Sequence, residues 1–168
     1  FPLLYEFMLV EGNQLSTHVH RCLGGGPQVR FKHDEDYVEA LHEHLQRAVS
    51  ACLRSSGPVA SHLSSGFDSS TVTAYAARQL AHRGERLTAY TAAPREGFAG
   101  PVPRDRHGDE SKVAAQLAGR FDNIDNVILR SSGQSPLESL EQEIDELDQS
   151  PVNPCNTLWM RAIERDAQ

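Results

Sequence analysis

The sequence predicts an α/β fold with an open, mainly parallel sheet flanked by helices, and three segments carry that prediction. A short apolar strand starts at Val59 and leads through a loop of small residues into an amphipathic helix. Leu87–Ala93 is a second apolar run, and residues 126–129 are a third. Strands joined through a helix by short connections pair in parallel by a right-handed crossover. In such a sheet, ligands bind beyond the carboxyl ends of the strands.

The composition is that of an acidic globular domain. The 168 residues carry a formal net charge of -7 and contain no cluster of Lys or Arg. This charge argues against a nucleic acid held on a basic face. The three cysteines, Cys22, Cys52 and Cys155, cannot all pair, and none has C-x-x-C spacing. We therefore expect a reducing compartment and a cytoplasmic location.

The apolar start of the chain raises the question of a signal or membrane segment. Residues 1–10 have no basic start, include Glu6, and fall far short of a span of about 20 residues. We therefore expect no membrane association and predict a core or packing strand there.

A further strand is predicted at residues 17–20, where His18 and His20 alternate. The two imidazoles could face one way as metal ligands, although no third ligand is nearby. The glycine-rich turn at residues 24–27 then marks a boundary. We divide the chain into a short N-terminal segment, 1–28, and a main domain, 29–168.

The first helix of the main domain is predicted from Asp36, which has capping-box spacing to Glu39. Its apolar residues recur every three to four positions and form one stripe for burial. These residues are Val38, Leu41, Leu45, Val49 and Cys52. We expect most of this helix to be scaffold.

The loop after the Val59 strand consists of residues that suit a phosphate. The first N–H groups of a helix lack intrahelical partners, and the helix dipole places partial positive charge there. Gly66 can adopt the positive φ that aligns N–H groups into an anion nest. Hydroxyl donors are Ser64, Ser65, Ser69 and Ser70. The loop therefore predicts a phosphate cradle.

Asp68 is the acidic residue of this loop. A carboxylate beside phosphates would repel them unless a divalent cation lies between, and Mg²⁺ holding phosphate oxygens and water suits that position. The alternative is an ordinary strand-to-helix turn in which Ser65 or Asp68 only caps the helix.

The helix after the loop is predicted to bury Val72, Ala76 and Leu80, with Gly84 as its stop. The strand Leu87–Ala93 follows it. Because parallel strands end at one edge of a sheet, we expect the loop and residues 92–95 to lie side by side.

Residues 94–108 form a long loop rich in glycine and proline, which is either a connection or a functional lid. Arg95 directly follows the strand and could donate to a phosphate through two N–H groups, although an exposed loop arginine needs no role. Asp109 and Glu110 open the next helix, and capping is their expected role.

The C-terminal part is predicted to be helical. Ser135 and Pro136 have the pattern of an N-cap and a first helical residue. We expect Ile144 to face inward and the acidic residues around it, including Glu143, to face solvent. A proline-bracketed loop at residues 150–156 leads into a last helix.

Several of these segments together resemble a known family. Residues 64–70, SSGFDSS, are similar to the pyrophosphate loop S-G-G-x-D-S of the ATP pyrophosphatase superfamily, and the following helix is similar to the synthetase domain of asparagine synthetases. Residues 90–98, 108–110 and 153–160 resemble the macrolactam synthetases of lasso peptide pathways. Several matches in the right order, covering residues 29–168, favour the phosphate cradle over simple capping.

The resemblance implies an adenine nucleotide alpha hydrolase-like fold that binds ATP and Mg²⁺. The adenine would lie against the backbone of residues 62–64 and Ala92, and the loop, including Phe67, would hold the pyrophosphate end, with Asp68 on the metal. The residues involved on the first strand are His62, Leu63 and Ser64.

The resemblance also implies a place for the acceptor substrate. Asn153, Cys155 and Asn156 are its candidate contacts, and a helix entry with a buried cysteine is the alternative.

The implied reaction is ATP-dependent amide ligation. A carboxylate attacks the α-phosphorus, pyrophosphate leaves, and ammonia or an amine takes up the acyl-adenylate. The carboxylate belongs to a small molecule, as in asparagine synthetases, or to a peptide, as in lasso peptide macrolactam synthetases. A glutaminase domain or a leader-processing protein could serve as partner. A non-catalytic domain that binds a nucleotide or a partner is the alternative of another class.

Several features depart from the asparagine synthetase pattern. Ser65 stands where the loop usually has glycine, and residues 148–156 lack the acidic, proline-rich pattern. A second acidic motif and a later lysine do not appear before Gln168. Phe1 is not the N-terminal cysteine of a glutaminase, so residues 1–28 would be a remnant of that domain. We therefore expect an incomplete domain that binds nucleotide weakly and catalyses nothing alone.

Overall fold

The computed structural model describes residues 6–19, 28–102, 104, 107–130, 133–138, 140–148 and 153–167. The chain forms two compact units, Phe1–Ala40 and Leu41–Gln168. Within the described ranges, no helix combines the length and the hydrophobicity needed to cross a membrane.

The first unit contains an antiparallel hairpin of β1 (Glu6–Glu11) and β2 (Gln14–Val19), which turns at Gly12 with a φ of 59°. The predicted strand is found, but it is not a core strand, because the apolar residues 7–10 are exposed. A two-stranded ribbon has too little surface to bury its own side chains. His18 bonds to Ser16 and stacks on a phenylalanine, whereas His20 lies outside the described residues.

The second unit is organised around a three-stranded parallel sheet. Its strands are β3 (Val59–His62), β4 (Leu87–Ala93) and β5 (Ile124–Arg130), in that order. Val59 is level with Leu87, and Leu87 is level with Ile124, so the three strands start together. The predicted α/β class and the parallel pairing are confirmed, and all three carboxyl ends lie at one edge.

Five helices accompany the sheet in the described part of the chain. They are α1 (Asp34–Cys52), α2 (Phe67–Ala81), α3 (Ser111–Ala118), α4 (Leu140–Leu147) and α5 (Pro154–Asp166). Side chains alternate between the two faces of a strand. On β4, Leu87 and Ala89 join the apolar cluster that includes residues of α2 and α3, whereas Tyr90 donates a hydrogen bond to Asp166 of α5. Helices therefore cover both faces of the sheet.

The buried face of α2 consists of small residues around one leucine. Thr73, Ala76, Ala77 and Leu80 are buried, whereas Val72 is exposed, contrary to the prediction. The short side chains let the helix lie close to β3, and the Thr73 hydroxyl bonds to Ser61 Oγ at 3.0 Å. This packing fixes the helix directly behind the loop.

Helix α1 is buried only toward its C-terminus. Val49 joins the apolar cluster, as does Leu53 just beyond the helix end, whereas Val38, Leu41 and Cys52 are exposed. Of the predicted stripe, therefore, only Val49 is buried and Leu45 is half-buried.

Helix α4 differs most from its prediction. It begins at Leu140, whereas Ser135 Oγ accepts the Leu137 N–H at 3.2 Å in a turn that precedes the helix. Glu143, predicted to be solvated, is fully buried, and Ile144 is exposed. The Glu143 carboxylate lies 3.8 Å from Arg161 of α5. This cation gives the buried acid a partner that helical periodicity could not reveal.

Candidate functional site

The predicted phosphate loop lies at the carboxyl edge of the sheet. Leu63 is buried, and its N–H donates to the Tyr90 carbonyl at 2.8 Å, which extends the pairing of β3 by one residue. Because of this bond, that amide is used by the sheet. The loop then runs through Ser64 to Gly66 before α2 begins.

Serine hydroxyls connect the loop to the first turn of α2. Ser69 Oγ accepts the Ser64 N–H at 3.1 Å and lies 2.7 Å from Ser64 Oγ. Ser64 Oγ accepts the Gly66 N–H at 3.1 Å, and the Ser70 hydroxyl donates to the Ser64 carbonyl at 3.3 Å. The hydroxyls of Ser64, Ser69 and Ser70 therefore link the loop to the first turn of α2.

Gly66 works differently from the prediction. Its φ is −73°, so the loop does not use the positive φ that we expected of this glycine. A Cβ at this position would lie 3.2 Å from Ser64 Oγ, which is tighter than most such contacts. Glycine is thus suited to the close approach of the two serine hydroxyls.

The start of α2 has no side-chain cap. Gly66 is the N-cap residue, and in the described part of the chain no side chain caps the first amides of the helix, so the alternative in which Ser65 or Asp68 caps the helix is wrong. An uncapped N-terminus keeps N–H groups and the positive end of the dipole for an anion.

Asp68 and Phe67 lie on the exposed side of the first turn of α2, and the Phe67 side chain is 93% exposed. No hydrogen bond or ion pair holds the Asp68 carboxylate within the described ranges, and those ranges contain no group of three or more metal-binding residues. Mg²⁺ is commonly held by one or two carboxylates together with phosphate oxygens and water. A single free carboxylate beside a phosphate loop fits that pattern.

A cavity of about 850 Å³ opens next to the loop. Eight of the predicted site residues line it: His62, Leu63, Ser64, Ser69, Ala92, Arg95, Cys155 and Asn156. Ser65, Gly66, Phe67, Asp68, Ser70 and Asn153 do not line it. The loop and the end of β4 are therefore side by side, as we expected from the parallel sheet.

The helix α5 supplies one wall of this cavity. Leu158 and Trp159 line it, and the Trp159 ring lies edge-on to His62 with their centroids 4.7 Å apart. Asn153 is the N-cap of α5 and accepts the Asn156 N–H at 3.3 Å. Sequence reasoning did not select Trp159 for the site, because periodicity alone does not tell which residues of a helix face a cavity rather than the core.

Arg130, the last residue of β5, holds the two ends of the long loop between β4 and α3. Its guanidinium donates to the Pro94 carbonyl at 2.6 Å and to Asp109 Oδ2 at 3.1 Å. Hydrogen bonds from Ser111, followed by Arg130, lower the pKa of the Asp109 carboxyl. Arg95 follows this anchored proline and lines both the large cavity and a smaller one of about 390 Å³.

The two acidic residues before α3 have different roles. Asp109 precedes the N-cap residue Glu110, and its Oδ1 accepts the N–H of Ser111, the first residue of α3, at 2.9 Å. Glu110 makes no cap, contrary to the prediction, and its Oε2 instead accepts the N–H of Ser65 at 3.3 Å. Glu110 also lines the large cavity.

The profile of the asparagine synthase family matches residues 40–166, which is well over half of the chain. None of the curated proteins matches it.

Proposed function

Because the chain belongs to the asparagine synthase family, we propose that it is a carbon–nitrogen ligase domain that activates a carboxylate with ATP as an acyl-adenylate. The observation that carries this proposal is the uncapped start of α2 behind a serine loop, beside a large cavity at the carboxyl edge of a parallel sheet. Nucleotides bind at this edge in open parallel sheets.

In this proposal the loop binds the β and γ phosphates of ATP. The hydroxyls of Ser64 and Ser69 now bond to each other and to loop amides, and they would turn to donate to phosphate oxygens. The free amides of α2 would add N–H donors. Arg95, which follows the neighbouring strand β4 and lines the cavity, would donate to a phosphate.

Asp68 would hold Mg²⁺ together with phosphate oxygens and water, and the ion would neutralise charge on the departing pyrophosphate. The protein groups contribute mainly by positioning and by electrostatic stabilisation, as in other phosphorus transfers. The carboxylate attacks the α-phosphorus, pyrophosphate leaves, and an amine or ammonia then displaces AMP to form the amide.

The walls of the cavity bear on the identity of the carboxylate. Phe98, Pro136, Leu158 and Trp159 make much of the lining apolar, whereas Arg95 and Glu110 are the formally charged residues among the described lining. Free aspartate carries three charged groups, and each needs a polar or charged partner when it is buried. These walls favour the macrolactam synthetase alternative, in which a peptide supplies the carboxylate.

We propose that this reaction takes place in the cytoplasm, because ATP is available there and because both described cysteines, Cys52 and Cys155, are free thiols. A glutaminase domain would be the partner of an asparagine-forming enzyme. A leader-processing protein would be the partner of a macrolactam synthetase.

The test is exchange of labelled pyrophosphate into ATP by the full-length protein. We expect exchange that depends on a carboxylate, and peptides with an Asp or Glu side chain should support it better than free aspartate. Exchange with aspartate alone would identify an asparagine-forming enzyme instead. ATP binding without exchange for any carboxylate would support the non-catalytic alternative and contradict the ligase proposal.

A further inference from the structure

Three consecutive amides of the phosphate loop already have side-chain acceptors. The N–H of Ser64 donates to Ser69 Oγ and the N–H of Gly66 donates to Ser64 Oγ. The N–H of Ser65, between them, donates to Glu110 Oε2. Two of the three acceptors are neutral hydroxyls of the loop and of α2, and the third is a carboxylate that comes from a different helix.

The Glu110 carboxylate carries a charge that no cation of the described chain neutralises. The ion pairs found there involve Asp109, Asp125, Glu143 and Glu146, and none involves Glu110. Its recorded partner is the amide of Ser65, and its side chain borders the open cavity. A carboxylate oxygen that accepts a backbone N–H has the same hydrogen-bonding chemistry as an anionic phosphate oxygen.

Only the side chain of Glu110 would need to move to free this amide. The backbone of Glu110 is fixed, because its carbonyl accepts the Ala114 N–H at 3.0 Å in the first turn of α3. Rotation about the side-chain bonds of an exposed or half-exposed residue is fast and has a small energetic cost.

We propose that the Glu110 carboxylate holds the empty phosphate loop in place of a phosphate oxygen and is displaced from the Ser65 amide when phosphate enters. This inference rests on the proposed function of the loop. It makes Glu110 a positioning residue that also selects the form of the ligand. Phosphate without a cation must enter against the carboxylate charge, whereas phosphate complexed with Mg²⁺ meets a weaker repulsion.

The test is a calorimetric titration of the full-length protein with pyrophosphate, in EDTA and in Mg²⁺. Glu110→Gln keeps the size of the side chain and an acceptor for the Ser65 amide but removes the charge. We expect it to bind Mg²⁺-free pyrophosphate about tenfold more tightly than the unchanged protein, because one close like charge is removed. The gain should be smaller in Mg²⁺. Glu110→Ala, which lacks any acceptor, should show a gain in EDTA as well.

Glu85→Gln is the matched control, because Glu85 is exposed just before β4, at the opposite end of the strand from the loop. It should bind as the unchanged protein does, and thermal unfolding should confirm that all variants fold. Equal or weaker pyrophosphate binding by Glu110→Gln in EDTA overturns the inference while leaving the loop as the phosphate site. No pyrophosphate binding by any protein, in either buffer, overturns the proposed function along with it.

Discussion

Arg130 shows how single side chains shape this site. It ends β5 and bonds to the carbonyl of Pro94 and to the carboxylate of Asp109, so one guanidinium holds both ends of a long loop at the edge of the cavity. The planar guanidinium can donate in two directions at once, which a lysine ammonium does with less geometric order. This arrangement keeps Arg95 beside the phosphate loop.

The Asp109 carboxylate gives a pH-dependent stability that can be measured. Ser111 and Arg130 lower its pKa in the folded protein, so the group stabilises the fold above the unfolded value of about 3.9. This stabilisation is lost as the pH falls through the lower folded pKa. Asp109→Asn should therefore be less stable than the unchanged protein at pH 7, and the difference should shrink toward pH 3. Urea unfolding at several pH values measures it.

Asp122→Asn is the control for this prediction, since the Asp122 side chain is exposed and has no recorded partner in the described chain. A stability difference for Asp109→Asn that stays constant from pH 7 to pH 3 would contradict the assigned role of the ionised carboxylate.

Local residue chemistry predicted part of the site and tertiary contacts determined the rest. The serines and Asp68 follow from the needs of a phosphate loop, and they lie within seven residues of one another in the sequence. Glu110 at the start of α3 and Trp159 on α5 are far from the loop in the sequence, and the tertiary fold brings them to it. No local pattern distinguishes a glutamate that caps its own helix from one that reaches another loop.

At the scale of elements, α2 connects the core to the loop. Its buried face packs against β3 and β4, and the Thr73 hydroxyl bonds to Ser61. The uncapped N-terminus of this helix is therefore held by packing along its length rather than by a capping side chain. Stability of the core and geometry of the loop depend on the same helix.

Leu80 tests this dependence, because its side chain is 0% exposed in the apolar cluster. Leu80→Ala should lower the free energy of unfolding by about 2–5 kcal/mol, through lost burial and a residual cavity. Val72→Ala, on the exposed side of the same helix, should change it by about 0.5 kcal/mol or less. Equal losses for the two variants, measured by urea unfolding, would contradict the assigned buried face.

The sequence predicted the positions of the strands better than it predicted which faces of the helices are buried. Leu87–Ala93 matches its predicted bounds, because a fully buried strand leaves an uninterrupted run of apolar and small residues. The faces of α1 and α4 were predicted from periodicity, which assumes that every apolar stripe is covered. In α4 the buried position belongs to Glu143, which Arg161 accompanies, and in α1 the first half of the stripe is exposed.

At the scale of the whole molecule, the family match covers the unit that contains the parallel sheet. The matched residues, 40–166, contain the three parallel strands, the loop and the helix α5 that closes the cavity. The exposed apolar hairpin of the first unit lies outside that match. The proposed sites of the nucleotide, the acceptor and the phosphate therefore all lie within the second unit.

The assignment of the loop and Asp68 to the phosphate end of ATP is tested most directly by calorimetry. Mg²⁺–ATP is titrated into the full-length protein and into its Asp68→Asn variant, with Asp122→Asn as the matched control. We predict that Asp68→Asn weakens binding about tenfold or more, because a charged ligand to the cation is lost, and that Asp122→Asn does not change it. Unchanged affinity of Asp68→Asn for Mg²⁺–ATP would contradict the assignment of this loop and its aspartate to the phosphate end of the nucleotide.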